Sequence, residues 1–277
     1  MKDCKITFIG GGNMAHSLIG GLISDDFNPE HIHVSDPSLD CLQSLSNDYS
    51  IQTHSSNVTA AQACDVLILA VKPQQLQSVV KELAPHWQKQ TLLISIAAGI
   101  RVDDIARWLE MEGASIVRAM PNTPSLVQAG ATALYANSFV SQTQHELAES
   151  ILRSVGIALW VQNEEHIDAV TALSGSGPAY FFLVMEAMEF AAKEMGLEAE
   201  TARLLCLQTA FGAAKMALES IETTASLRAR VTSPGGTTER ALHELEDGGI
   251  RGLFENALVA AALRSRELAN HLGEDNA

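Results

Sequence analysis

The sequence predicts an α/β fold, in which an N-terminal Rossmann-like, doubly wound sheet precedes an all-helical C-terminal domain. Three observations carry that expectation. A glycine cluster directly follows the first apolar run, continuous apolar runs then alternate with helix-periodic segments, and near residue 162 alanine-rich helical periodicity replaces strand-like texture. Alternation of strand and helix builds a parallel sheet covered on both faces. The 277 residues, 47% of them apolar, suffice for two cores. The expected domains are residues 1–161, binding a dinucleotide, and residues 162–277.

Residues 5–9 are the first strand, and they run straight into Gly10-Gly11-Gly12-Asn13-Met14-Ala15. Gly10, Gly12 and Ala15 fit the G-x-G-x-x-A fingerprint: a tight turn, a close approach of pyrophosphate to the backbone, and a small residue where helix meets strand. Residues 14–22 supply the helix, which is expected to end around Gly20 and Gly21. Residues 31–35 are the second strand, with His31 and His33 on one face as strand surface rather than metal ligands. Asp36 follows 24 residues after Gly12, where an acid bonds the adenine ribose 2′-hydroxyl and favours NAD. Ser35 and Ser38 could instead serve a 2′-phosphate, so both cofactors stay open.

The continuous apolar run 66–71 has the texture of a strand buried on both faces, and it ends in Lys72-Pro73-Gln74-Gln75. Lys72 either covers a nicotinamide ribose or phosphate, or is solvated. Helix 75–83, strand 91–97, helix 102–109 and strand 115–119 follow. The last of these ends in Met120-Pro121-Asn122-Thr123-Pro124, where Asn122 would face the cofactor from a third strand end. Residues 130–136 and 156–161 read as two edge strands around helix 141–155, for a total of about eight strands.

Past residue 162 a helix over 164–173 is expected to break at Ser174-Gly175-Ser176-Gly177-Pro178. Pro178 suits the first turn of the next helix, which runs to about residue 195. Its apolar residues cover more than one face, the mark of a helix buried deeply or in a subunit contact. Further helices are expected over 199–219, 224–229, 238–245 and 253–268. His166 reads as a helical core or surface residue. Between the second and third of these segments lies Ser233-Pro234-Gly235-Gly236-Thr237-Thr238. Its glycines permit close backbone approach, and its threonines stand at a helix start whose free N–H groups suit an anion. Glu239 has Gly236 three residues before it, so the hydroxyl of a capping box is missing.

The formal charge of −15 argues against nucleic acid and anionic membrane surfaces as partners. An anionic ligand would have to be held by local backbone dipoles. Cys4, Cys41, Cys64 and Cys206 lack C-x-x-C spacing and read as reduced thiols of a cytoplasmic protein. No N-terminal signal is evident, and the apolar segment 92–100 is too short to span a bilayer. No metal-ligand cluster, Ser-His-Asp arrangement or carboxylate pair stands out. A redox-cofactor fold without an acid–base residue suits hydride transfer to a reactive electrophile such as an imine. The loop at 233–238 would then hold the substrate's carboxylate.

With these residues in place the sequence resembles the pyrroline-5-carboxylate reductase family over its whole length. The shared segments are Phe8 through Ala15, Ala70 through Gln74, Ala97 through Ile100, Arg118 through Pro124, Leu173 through Tyr180 and Val231 through Thr238. The resemblance implies reduction of L-1-pyrroline-5-carboxylate to L-proline with NADPH or NADH. It also implies a helical dimerisation domain, a homodimer and often a decamer of five dimers. By the same resemblance Gly10, Gly12, Asn13 and Met14 would meet the pyrophosphate and cofactor, and Ser35 the adenylate ribose or phosphate, beside the Asp36 that the spacing singles out. Ala70, Lys72 and Pro73 would lie on the nicotinamide side, with Met120, Pro121 and Asn122 bounding the ring. Thr238 would bond the substrate's ring nitrogen, the N–H groups of Gly236 and Thr237 its carboxylate, and Ser176, Gly177 and Val231 would shape the pocket. Asp36 departs from the NADP-friendly loop common in the family. Rival readings are another imine or β-hydroxyacid reductase of the same plan, and a non-enzymatic cofactor-sensing protein.

Overall fold

The computed structural model describes residues 4–62 and 64–274. The chain forms two compact units: one runs through Ser176 and resumes at Ala260, and the other is Gly177–Val259.

The first unit contains, in order, β1 (Ile6–Ile9), α1 (Asn13–Ser24), β2 (Ile32–Ser35), α2 (Leu39–Tyr49), β3 (Gln52–His54), α3 (Asn57–Ala61), β4 (Val66–Leu69) and α4 (Pro73–Leu83). It continues with β5 (Leu92–Ser95), α5 (Val102–Leu109), β6 (Ile116–Met120), β7 (Gly130–Ala136), α6 (Gln142–Arg153), β8 (Gly156–Trp160) and α7 (His166–Val170). The strands form one sheet in the order β3-β2-β1-β4-β5-β6-β7-β8. All ladders are parallel except that of β6 with β7. The order reverses between β1 and β4, and that switch point opens the crevice in which α/β sheets take ligands. Alternate strand residues feed two cores. Ile6, Phe8, Val34 and Ile68 pack under α1, α2 and α6. Ile9, Leu67, Leu69 and Leu93 pack under α4 and α5, with Trp108 fully enclosed.

Several local expectations give way to packing. Strand β3 has no apolar alternation to reveal it, because Gln52, Thr53 and His54 pair only with β2 at the sheet edge. It supplies His54, whose Nε2 lies 2.9 Å from Nδ1 of His33 in a stacked pair, so His33 is half-buried rather than open strand surface. Strand β7 is not an edge: it lies between β6 and β8, and β8 alone closes that side. Helix α1 does not stop at Gly20 and Gly21. A Cβ on Gly21 would sit 2.6 Å from the Ser154 carbonyl oxygen, so this glycine permits close packing rather than ending the helix. Nor does the Ser-Gly-rich stretch break its helix. Residues Thr171–Gly175 form a π-turn, with the Ser176 N–H donating to the Thr171 carbonyl at 2.8 Å.

The second unit holds α8 (Gly177–Glu194), α9 (Ala199–Glu219), α10 (Thr224–Arg230), α11 (Thr237–Asp247) and the start of α12 (Ile250–Gly273), whose later residues belong to the first unit. The Cys206 thiol of α9 reaches the Met185 carbonyl of α8 at 3.6 Å. Phe181, Phe182, Phe190, Leu204, Leu205 and Phe211 are nevertheless exposed. His166–Glu194, taken as one helical stretch of 29 residues, is long and apolar enough to cross a membrane by length and composition, and only 22% of that window is buried within the chain.

Candidate active site

At the switch point, Gly10 has φ of +99°, and a Cβ there would lie 2.8 Å from the Ala70 carbonyl oxygen at the end of β4. Glycine is therefore required by conformation and by space. Gly12 is exposed, with nothing within 4 Å of its Cβ position. It is also the N-cap of α1, and no side chain caps that end. The first-turn N–H groups from Asn13 onward lie outside the intrahelical ladder and face open space beside the helix dipole. That is the donor set a pyrophosphate fits.

Gly11, between these two, is caged. Its N–H donates to Oδ2 of Asp36 at 2.9 Å, and its carbonyl accepts from the Cys41 thiol at 3.0 Å. Burial, then the Asp36 carboxylate, push the Cys41 thiol above its ordinary value, so it stays protonated and able to donate. The other oxygen of Asp36 accepts from the Ser38 N–H at 2.8 Å. Asp36 thus binds its own loop with both oxygens while leaving a negative charge at the end of β2. The buried Ser35 directs its hydroxyl to Oδ1 of Asn57 at 2.9 Å, turned into the sheet.

At the end of β4, exposed Lys72 is the N-cap of α4 and Pro73 its first residue, and no side chain caps this end either. Ala70 and Pro73 are half-buried beside it. At the end of β6, Met120 is half-buried, while Pro121 and Asn122 are buried. Asn122 bonds the protein through both polar atoms. Its Nδ2 donates to the Ser174 carbonyl at 3.0 Å, and its Oδ1 accepts from the Ala131 N–H at 2.8 Å. The first-unit segments expected to meet the cofactor therefore share the carboxyl edge of β1, β2, β4 and β6, with Ser176 held through the π-turn. A cleft of about 800 Å³ lined by Arg101, Arg118, Tyr135, Glu164, Asp168 and Arg266 contains none of these residues. Its charges are largely paired: Arg118 with Glu164 at 3.0 Å and Arg266 with Asp168 at 3.5 Å.

In the second unit the Gly-rich loop leads into α11. Gly235 has φ of +69°, whereas Gly236 is an extended N-cap without a side-chain cap. The Gly236 N–H, expected beside a carboxylate, donates to the Ser233 carbonyl at 3.0 Å across the tight turn of Pro234 and Gly235, and the N–H groups of Thr237 and Thr238 follow it at the start of α11. Glu239 was not expected to take part, but its carboxylate reaches back to the Gly235 N–H at 2.7 Å. An acid three residues after the N-cap was the signal, hidden by the missing hydroxyl. Thr237, Thr238 and Val231 are exposed, Gly177 is buried, and Arg228 reaches Glu246 at 3.7 Å to tie α10 to α11.

Comparison with known proteins places both halves. Residues 164–268 match the family model for pyrroline-5-carboxylate reductase dimerisation. Residues 5–99 match that for NADP oxidoreductase, coenzyme F420-dependent. The chain is 49% identical to a pyrroline-5-carboxylate reductase of Pseudomonas aeruginosa, with 99% of this chain and 100% of the relative aligned. It is 39% identical to one from Pisum sativum, covering 95% of each. Among solved structures, a pyrroline-5-carboxylate reductase of Coxiella burnetii is 49% identical, with TM-score 0.93 over 96% of this chain and 98% of that one. The Plasmodium falciparum pyrroline carboxylate reductase with NADP bound is 31% identical, with TM-score 0.86 over 97% and 99%.

Proposed function

The chain belongs to the pyrroline-5-carboxylate reductase family, and from that premise we propose how its residues divide the work. The protein is an NAD(P)H-dependent oxidoreductase that reduces L-1-pyrroline-5-carboxylate to L-proline. When bound, the dinucleotide supplies a hydride to the imine carbon. The start of α1, with Gly10, Gly12, Asn13 and Met14, holds its pyrophosphate, and Ser35 and Asp36 lie toward the adenylate end. Lys72, beside Ala70 and Pro73, sits on the nicotinamide side with Met120 and Pro121. The uncapped start of α11 carries this reading for the substrate: Thr237 and Thr238 N–H groups hold the carboxylate, and the Thr238 hydroxyl bonds the ring nitrogen. As the C=N bond takes up hydride, that nitrogen becomes an amine nitrogen and gains one proton. The hydroxyl steadies the charge that develops there. Ser176, Gly177 and Val231 shape the substrate pocket.

Residues 1–161 serve the cofactor, and residues 162–277 serve dimerisation and the substrate. The exposed phenylalanines of α8 and α9 are the surface of a homodimer, the basis for a decamer of five dimers. This subunit burial, rather than a bilayer, accounts for the apolar stretch at 166–194, and the protein works in the cytoplasm. The test is an absorbance assay of pyrroline-5-carboxylate reduction with NADH and NADPH side by side. Proline formation with either supports the reading. Cofactor binding without turnover overturns it.

A further inference from the structure

The π-turn at Thr171–Gly175 leaves one carbonyl in need of a donor. In a continuing α-helix the Ser174 carbonyl would accept from the N–H of residue 178, but residue 178 is proline and has none. A half-buried carbonyl without a donor is costly. The donor comes from Nδ2 of Asn122 at 3.0 Å. Its orientation is fixed by chemistry, because the same amide's oxygen must face the Ala131 N–H at 2.8 Å and the nitrogen must face a carbonyl. A second contact joins the same two segments. A Cβ on Gly175 would lie 2.6 Å from the terminal methyl of Met120, so the turn and the strand end touch at residues 120 and 175 as well as 122 and 174. The turn's own hydroxyls are directed inward: Thr171 to the Ile167 carbonyl at 2.7 Å and Ser174 to the Val170 carbonyl at 3.1 Å.

We infer that Asn122 is a positioning residue, which acts through the Ser174 carbonyl to fix the turn carrying Ser176 against the cofactor-side loop, rather than a ligand of the nicotinamide. Both polar atoms of its side chain face a protein partner, Nδ2 the Ser174 carbonyl and Oδ1 the Ala131 N–H, and these bonds set the direction of the amide. Pro178 creates the vacancy that Asn122 fills, so the Arg118–Pro124 and Leu173–Tyr180 segments are chemically interdependent. The inference rests on the reductase reading and deepens it: Asn122 governs how the substrate is seated, not how tightly the dinucleotide is held.

The experiment uses the full-length enzyme and the variant Asn122→Asp, which sets a carboxylate oxygen against the Ser174 carbonyl and keeps an acceptor for the Ala131 N–H. The expected result is a fall of about 10- to 100-fold in kcat/KM for pyrroline-5-carboxylate, with the dissociation constant of NADPH, read by nicotinamide fluorescence, within about 2-fold of wild type. Gly175→Ala, which meets the movable end of Met120 and the Thr171 side chain, should lower kcat/KM in milder form and guards against a misfolded first variant; the split from NADPH binding is read in Asn122→Asp, because Met120 also borders the nicotinamide. Amide hydrogen exchange at residues 171–176 should speed up in Asn122→Asp whatever the activity. NADPH binding that weakens in step with kcat/KM would make Asn122 a cofactor ligand and overturn the inference. Wild-type exchange and turnover in both variants would do so as well. Wild-type turnover measured alongside tests the reductase reading separately.

Discussion

Replacing Asp36 by asparagine separates two roles that the structure gives one carboxylate. Its Oδ2 takes the N–H of buried Gly11 at 2.9 Å, and its Oδ1 takes the Ser38 N–H at 2.8 Å. An asparagine retains one acceptor oxygen and turns an NH2 group toward the other N–H. One charge-assisted bond is lost at a loop built to receive pyrophosphate, a cost of about 1–2 kcal/mol, or roughly 10-fold in kcat/KM for either cofactor. The substitution also removes a negative charge from the end of β2. Against a doubly charged 2′-phosphate roughly 4–6 Å away, at a water-like dielectric and about halved by screening at physiological salt, that repulsion is worth about 1 kcal/mol, or ~5-fold, for NADPH alone. Initial rates with saturating pyrroline-5-carboxylate should therefore show kcat/KM for NADH falling about 10-fold and for NADPH only about 2-fold. The NADPH-to-NADH ratio then rises about 5-fold, and the rise shrinks with added salt. A ratio that stays fixed refutes the electrostatic argument. Unchanged NADH kinetics refute the brace on Gly11.

Thr238→Ala should cut turnover or raise KM for the imine by about 10- to 100-fold, the order of a lost hydrogen bond to a charged group; Thr238→Ser should recover most of it, and wild-type kinetics in the alanine variant would reduce the hydroxyl to a helix-start residue. Burial, with Lys5 and then His54 and His31 adding like charge, lowers His33 from 6.5 to about 4. The unfolded chain then binds more protons between these values, so His33's contribution is intact above about pH 6.5 and is lost as pH falls toward 4. Chemical denaturation of His33→Gln should show a shallower fall in stability over that window, and an unchanged slope would remove the His33–His54 pair as its source. Phe182 is 65% exposed on α8 within this chain, so Phe182→Glu should yield monomers by analytical ultracentrifugation and little activity. Full activity in such monomers would sink the proposal that the site needs the dimer.

The doubly wound sheet was legible because its strands are buried on both faces, and continuous runs such as Val66–Leu69 need no partner to be recognised. Strand β3 was not, because a three-residue polar strand at an edge is defined only by the neighbour it pairs with. Glycine was the commonest source of error, since it has two uses that look alike in sequence. Gly10 is glycine for its backbone conformation, a local property that the fingerprint encodes. Gly21 is glycine because the Ser154 backbone, distant in sequence, occupies the space where a Cβ would be. The first use is readable from neighbours along the chain and the second only from neighbours in space.

The same distinction divides the candidate site. Both uncapped helix starts could be placed from the sequence, because an N-terminus behind glycines is a local device. In a chain of net charge −15 such devices must act at short range, since the wider field opposes both ligands. What holds them in shape is not local. Asp36 and Cys41 secure the two sides of the Gly11 peptide from 25 and 30 residues away, and Asn122 holds the Ser174 carbonyl across 52. Residues that a motif lists beside the ligand can therefore direct hydrogen bonds into the protein as well. For Ser35 and Asn122 the hydrogen-bond capacity is turned toward the protein, to Asn57 in one case and to Ser174 and Ala131 in the other. A motif records which residues the chemistry requires, and only the partner of each polar atom distinguishes a group that binds from one that aims.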